Sequence, residues 1–189
     1  MRNAIILHGT CDSNEYYSDK FPSLSNSHWL PWLQKQLLIK DIKTCTPEMF
    51  KSFDPDYDLW KSEFEKNDIN ETTILVGHSC GGGFLIRWLS ENKNSKVGTV
   101  ILVAPWLDPR NSKNNDFFDF EIDSDLVSRT KKFLVFNSTN DMEDIKKSLE
   151  IIQEKIKNIK IRNFENYGHF CFSDLGTDKF PELLEEIIK

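Results

Sequence analysis

A chain of 189 residues, 39% hydrophobic and 29% charged, is long enough to bury its own core and too apolar to be a disordered segment. Its formal net charge of −6 opposes a nucleic-acid backbone, and the basic pairs Lys131-Lys132 and Lys146-Lys147 read as solvated faces. Four cysteines (Cys11, Cys45, Cys80, Cys171) with no CxxC pair or zinc spacing argue for free thiols in a reducing, cytoplasmic setting. No apolar run reaches the length of a signal-peptide core or a membrane span.

In chain order, an apolar strand is predicted at 4–7 (AIIL), followed by an aperiodic segment over 10–27. A helix is predicted over 28–39, where Trp29, Leu30, Leu33, Leu37 and Leu38 recur at helical spacing and Ser27 stands as N-cap. A strand at 42–45, a helix over 56–66 and a strand at 73–76 come next. After Ser79, the spacing of Phe84, Leu85, Trp88 and Leu89 predicts a third helix. A strand at 99–103 leads into a second aperiodic stretch, 105–120, and a short helix at 123–129. The chain ends with a strand at 133–136, a helix over 144–157, a strand at 159–164 and a helix over 180–188 opened by Pro181.

Strands alternating with helices predict a doubly wound parallel sheet, here one domain spanning 1–189. Several strands are continuously apolar, as parallel strands covered on both faces are. The two aperiodic segments follow strands, at the carboxyl edge where such sheets bind ligands.

The sharpest local signal is Gly77-His78-Ser79-Cys80-Gly81, a G-x-S-x-G that follows an apolar strand and opens an amphipathic helix. A tight strand-to-helix turn strains the central residue, and flanking glycines keep neighbouring side chains from colliding. Ser79 is therefore the candidate nucleophile. A glycine-rich phosphate-binding turn is the competing reading, but neither the dinucleotide spacing nor GK[ST] is present. Cys80 reads as a small packed residue whose backbone N–H, not its thiol, matters.

A serine hydroxyl needs a base. His169, in the loop after the last strand, is the candidate, because the chain order then runs serine, acid, histidine. His78 is expected to be packed away from Ser79, His28 to pack a helix start remote from the sheet edge, and His8 to shape the site. Asp141 is the first carboxylate in the loop after the fifth strand and the candidate acid, which would hold His169 in the correct tautomer. Asp108 is its rival, and Asp144 is a candidate helix cap.

With these residues placed, the chain resembles the compact serine hydrolases grouped with bacterial YdeN and retinoblastoma-binding protein 9. The resemblance rests on Ile5-Ile6-Leu7-His8-Gly9, Ser27-His28-Trp29-Leu30-Pro31-Trp32-Leu33, the elbow at 77–81, Ser138-Thr139-Asn140-Asp141 and Gly168-His169-Phe170. It implies an α/β-hydrolase fold: a three-layer sandwich of about six parallel strands without a large cap domain. It also implies neighbouring first and third strands, so that backbone N–H groups of Cys80 and Thr10 form an oxyanion hole. Asn140 departs from the family, where an aspartate is common.

The expected activity is hydrolysis of small carboxylic esters through an acyl-enzyme on Ser79, with no metal or cofactor and a small-molecule substrate. Gly9 and Trp106 are candidate pocket residues, with Tyr16, Tyr17, Phe21, Phe117 and Phe118 either lining the pocket or anchoring loops. The alternatives are a non-catalytic binding module on the same fold, or an acyltransferase or amidase using the same triad.

Overall fold

The structure, a computed structural model, describes residues 2–189. Six parallel strands form one sheet in the order β2-β1-β3-β4-β5-β6. They are β1 (Asn3–Leu7), β2 (Lys43–Cys45), β3 (Ile74–His78), β4 (Val97–Val103), β5 (Thr130–Ser138) and β6 (Lys160–Phe164). Ile5 lies opposite Leu75, Leu75 opposite Val100, and Val100 opposite Phe133, so one apolar row crosses the four central strands in register.

The pleat sends alternate residues to opposite faces. Ile5, Leu7, Leu75 and Leu102 pack on one side with Trp60 of α3 (Tyr57–Phe64), Phe84 of α4 (Cys80–Glu91) and Ile152 of α5 (Glu143–Lys155). Ala4, Ile6, Val76 and Val103 pack on the other with Leu33 of α2 (Leu30–Ile39) and Leu183 of α7 (Pro181–Ile188). The fold is therefore a three-layer α/β sandwich, as expected, without a large cap domain among the described residues. Trp60, fully buried where α3 meets α4, is a main anchor of the first layer. Truncating such a side chain to alanine costs about 3–5 kcal/mol.

All six predicted strands are present, β4 and β5 starting two to three residues earlier than their apolar cores. The helix ends differ more. Ser27 does not cap α2; the cap is Trp29, without a side-chain bond, while Ser27 Oγ donates to Ser23 O at 3.2 Å. Asp144 does not cap α5 either: Met142 holds the cap position and Asp144 sits in the first turn beside Arg110. The segment 10–27 contains α1 (Ser13–Tyr16), capped by Asp12, and a 3-10 turn at Leu24–Asn26. The helix expected at 123–129 is a 3-10 turn, Leu126–Arg129, and α6 (Phe172–Leu175) follows the last strand unannounced.

The sheet order sets the site. Strand β1 continues to β2 on one side, whereas β3, its other neighbour, continues to β4 on the opposite side. The chain thus diverges between β1 and β3, opening a crevice above their carboxyl ends. Gly9-Thr10 and Ser79 follow those two strands.

Candidate active site

Ser79 is the single residue between β3 and α4, with φ 54° and ψ −120°. That conformation costs an ordinary residue on the order of 1–3 kcal/mol, and its surroundings hold it there. Ser79 N–H donates to Val103 O at 2.9 Å, and Ser79 O accepts from Gly82 N at 2.9 Å and Trp106 N at 3.0 Å. The flanking glycines serve close approach. A Cβ on Gly77 would stand 2.6 Å from Gly81 O, and one on Gly81 would collide with the His8 carbonyl oxygen.

The loop after β5 and the loop after β6 meet above the same edge. His169 Nδ1 lies 3.0 and 3.2 Å from the two carboxylate oxygens of Asp141. Asp141 is 5% exposed, and Met142 N–H donates to its Oδ1 at 2.6 Å. This pairing puts the imidazole proton on Nδ1 and leaves Nε2 as the acceptor. Ser79 and His169 line one cavity of about 510 Å³ together with Thr10 and Trp106. Among the described residues no hydrogen bond joins Ser79 Oγ to the imidazole; such bonds tighten when substrate binds.

The histidine loop is tied from both sides. Asn140 Oδ1 accepts from Gly168 N at 2.9 Å and Ser138 Oγ at 2.8 Å, and Ser138 Oγ in turn accepts from Tyr167 N at 3.0 Å. Asp174 Oδ2 accepts from His169 N at 2.9 Å and Cys171 N at 3.2 Å. The amide oxygen of Asn140 thus performs the acceptor task that an aspartate at this position would perform.

Three further histidines surround the pair, and each is held neutral. His8 Nδ1–H donates to Gly9 O at 2.7 Å while Nε2 accepts from Met49 N–H at 2.8 Å. Glu48 approaches that Nε2 at 3.5 Å, yet a lone pair facing Met49 N–H excludes a second proton. Burial accordingly outweighs Glu48 and pushes the His8 pKa down. His78, 3% exposed, donates Nε2–H to His169 O at 2.8 Å, and its pKa lies well below the ordinary value, chiefly through burial. His28 is lowered by the same cause. It is not remote from the sheet edge as the sequence suggested: its ring meets His78 edge-on at 5.9 Å, and its Nδ1 accepts from Phe172 N at 3.2 Å. Sequence reasoning placed His78 as packing alone and missed both contacts to the histidine loop.

The backbone N–H groups of Thr10 and Cys80 make no hydrogen bond among the described residues, although both adjoin Ser79. His8, by gripping Gly9 O, fixes the plane of the peptide that carries Thr10 N–H. Cys80 is fully buried, and burial drives its thiol pKa far upward, so it remains a neutral packed residue. Asp108 is not the partner of His169. Its carboxylate accepts from Ser112 N, Ser112 Oγ and Lys113 N at 2.7–2.8 Å, folding its own loop.

Of the candidate pocket residues, Trp106 lines the cavity, whereas Gly9 abuts Ser79, with space for no Cβ: one would stand 2.9 Å from Ser79 Cβ. Phe117 is core and Phe118 packs against it at 4.9 Å, while Tyr16 and Phe21 line a separate cavity of about 290 Å³.

The sequence profile of the serine hydrolase family matches residues 21–186. No curated protein matches the chain. Among solved structures, the ydeN gene product from B. subtilis superposes with a TM-score of 0.80 at 22% identity, over 100% of this chain and 97% of that one. Est1E from Butyrivibrio proteoclasticus gives 0.62 at 16% identity, over 99% and 88%. An alpha-beta serine hydrolase homologue from Coxiella burnetii gives 0.61 at 16% identity, over 99% and 83%. At these identities the likeness is one of fold.

Proposed function

The chain belongs to the serine hydrolase family, and we propose that it hydrolyses small carboxylic esters through an acyl-enzyme on Ser79, with His169 as base and Asp141 as its orienting acid. The observation that carries this reading is the buried Asp141 carboxylate on His169 Nδ1, with that imidazole opening on the cavity that also holds Ser79. In this mechanism His169 Nε2 takes the Ser79 proton as Oγ attacks the ester carbonyl. The tetrahedral oxyanion is received by Cys80 N–H and Thr10 N–H, both without a protein acceptor. His169 then protonates the departing alcohol, and the same imidazole activates the water that releases the acid.

A cavity of about 510 Å³ suits a compact substrate. Trp106, Met142 and Ile145 supply its apolar wall, and an Arg110–Asp144 ion pair at 2.7 Å also borders it. The four free cysteines suit a reducing compartment, and a cytoplasmic location is part of the proposal. No described helix is long and apolar enough to cross a membrane.

The test is turnover of p-nitrophenyl acetate by the wild-type chain and by Ser79→Ala. The proposal expects kcat to fall by about 10⁶-fold, as when the nucleophile of a triad is removed, with the circular dichroism spectrum unchanged. Turnover retained in a folded Ser79→Ala chain overturns it.

A further inference from the structure

We propose that His78, with His28 and Trp29, is a positioning clamp that sets the height of His169 above the sheet edge, so that the strand end that aims Ser79 also places its base. This rests on the reading of His169 as the base.

The contacts run along consecutive peptide units. His78 Nε2–H donates to His169 O at 2.8 Å. Trp29 Nε1–H donates to Phe170 O at 3.1 Å, and Phe172 N–H donates to His28 Nδ1 at 3.2 Å. On the opposite side Asp174 accepts from His169 N–H. Both backbone polar groups of His169 are held by side chains rather than by helix or sheet partners. Gly168 and Phe170 on either side take φ of 52° and 58°, so the loop has no helical or sheet pairing of its own to fix it. Its position depends on side chains: Asn140, Ser138 and Asp174 hold its flanks, and those brought from β3 and from the start of α2 hold its carbonyls.

Position in the chain gives His78 its leverage. It is the last residue of β3 and immediately precedes Ser79. One rigid, centrally placed strand therefore fixes the nucleophile through the backbone and the base through an imidazole. Loops joined only by their own contacts would let the two drift independently. A mismatch of about 1 Å between reacting groups costs on the order of 10²-fold in rate.

The charge state suits the task. The rings of His78 and His169 lie 5.0 Å apart between centroids. A cationic His78 would oppose the imidazolium that His169 must carry during acyl transfer. Burial keeps His78 neutral, as it does His28 behind it. The rings packed on His78 are Trp29, His28 and His169, and the titratable groups that act on it are His169, His28 and His8, with no carboxylate among them.

His78→Phe and His78→Gln separate positioning from packing. Phenylalanine keeps a ring but has no donor; glutamine places an amide N–H near the Nε2 position. The proposal expects His78→Phe to lower kcat on p-nitrophenyl acetate by about 10- to 100-fold with KM within about threefold. It expects His78→Gln to recover kcat to within about fivefold. In proton NMR, the His169 Nδ1–H resonance should broaden or shift in the phenylalanine variant and return in the glutamine variant. Wild-type kcat and an unchanged resonance in His78→Phe overturn the clamp, as does a glutamine variant that loses as much as phenylalanine. If His78→Phe does not fold, Trp29→Phe, which deletes the donor to Phe170 O along with part of a buried indole, must lower kcat in the same direction, and an unchanged kcat there overturns the clamp as well. The resonance reads the clamp without turnover, so failure of Ser79 as nucleophile shows separately in Ser79→Ala.

Discussion

Asp141 and Asn140 are adjacent and do different work. Asp141 faces the imidazole, whereas Asn140 faces the peptide of Gly168. Replacing Asp141 by asparagine preserves shape but offers an N–H where His169 needs an acceptor, favouring the wrong tautomer. With Asp141 as the proposed acid, a fall in kcat of about 10⁴-fold is expected in steady-state ester hydrolysis. At Asn140 only an acceptor is required. Asn140→Asp should melt within about 1 kcal/mol of wild type, whereas Asn140→Leu leaves Gly168 N–H unpaired and should lose about 1–3 kcal/mol in urea titration. If Asn140→Asp is as damaging as leucine, the acceptor account of this residue is wrong. The sequence marked Asn140 as a departure from its family. It carried no sign that the amide oxygen would take two donors, because one of them comes from a loop 28 residues away.

Among elements, those with a repeating apolar pattern were legible: each strand and each helix of eight or more residues was predicted with ends shifted by a few residues. Helices α1 and α6 have four residues each, too few for a period to register. The elbow was legible for a different reason, since its glycines answer a local steric demand that any such turn imposes. Gly81→Ala tests that demand. Its methyl would meet the carbonyls of both His8 and Leu7, and backbone cannot yield as a side-chain tip can. The variant should lose at least about 1–3 kcal/mol of stability in denaturant unfolding, together with the proposed turnover of esters. Unchanged stability would contradict the close packing of α4 on the end of β1. What no local pattern revealed was the tie between α2 and the histidine loop: Trp29 and Phe170 are 141 residues apart. The H-W-x-P-W-L stretch was conspicuous as a family likeness. Its physical purpose emerged only when the fold placed it beside G-H-F.

For the whole molecule, the sheet order matters most, since it brings Gly9-Thr10, Ser79, Asp141 and His169 to one edge from four different strands. The same convergence gathers three neutral histidines in one region, His8 and His78 buried and His28 half-buried, with consequences for acid stability. His8, His28 and His78 all have folded pKa values below the ordinary 6.5. Above 6.5 they are neutral in both states and have no effect. As pH falls below 6.5 the unfolded chain binds protons that the folded chain refuses, so stability declines. The Glu186 carboxylate, held at about 2 first by Lys132, acts in a lower window: its contribution is intact above about 4.5 and fades toward 2. Melting temperature should therefore drop between pH 7.5 and pH 5, and the drop should shrink in His78→Phe. A flat profile over that interval would mean that these imidazoles are not held neutral.

The proposed nucleophile is tested most directly by locating a fluorophosphonate adduct on the intact chain by peptide mass spectrometry. A single adduct is predicted, on the peptide carrying Ser79, absent from Ser79→Ala and formed at least about 10²-fold more slowly in His169→Ala. Adduct on any other residue, or labelling of Ser79→Ala at the wild-type rate, would contradict the proposed chemistry at Ser79.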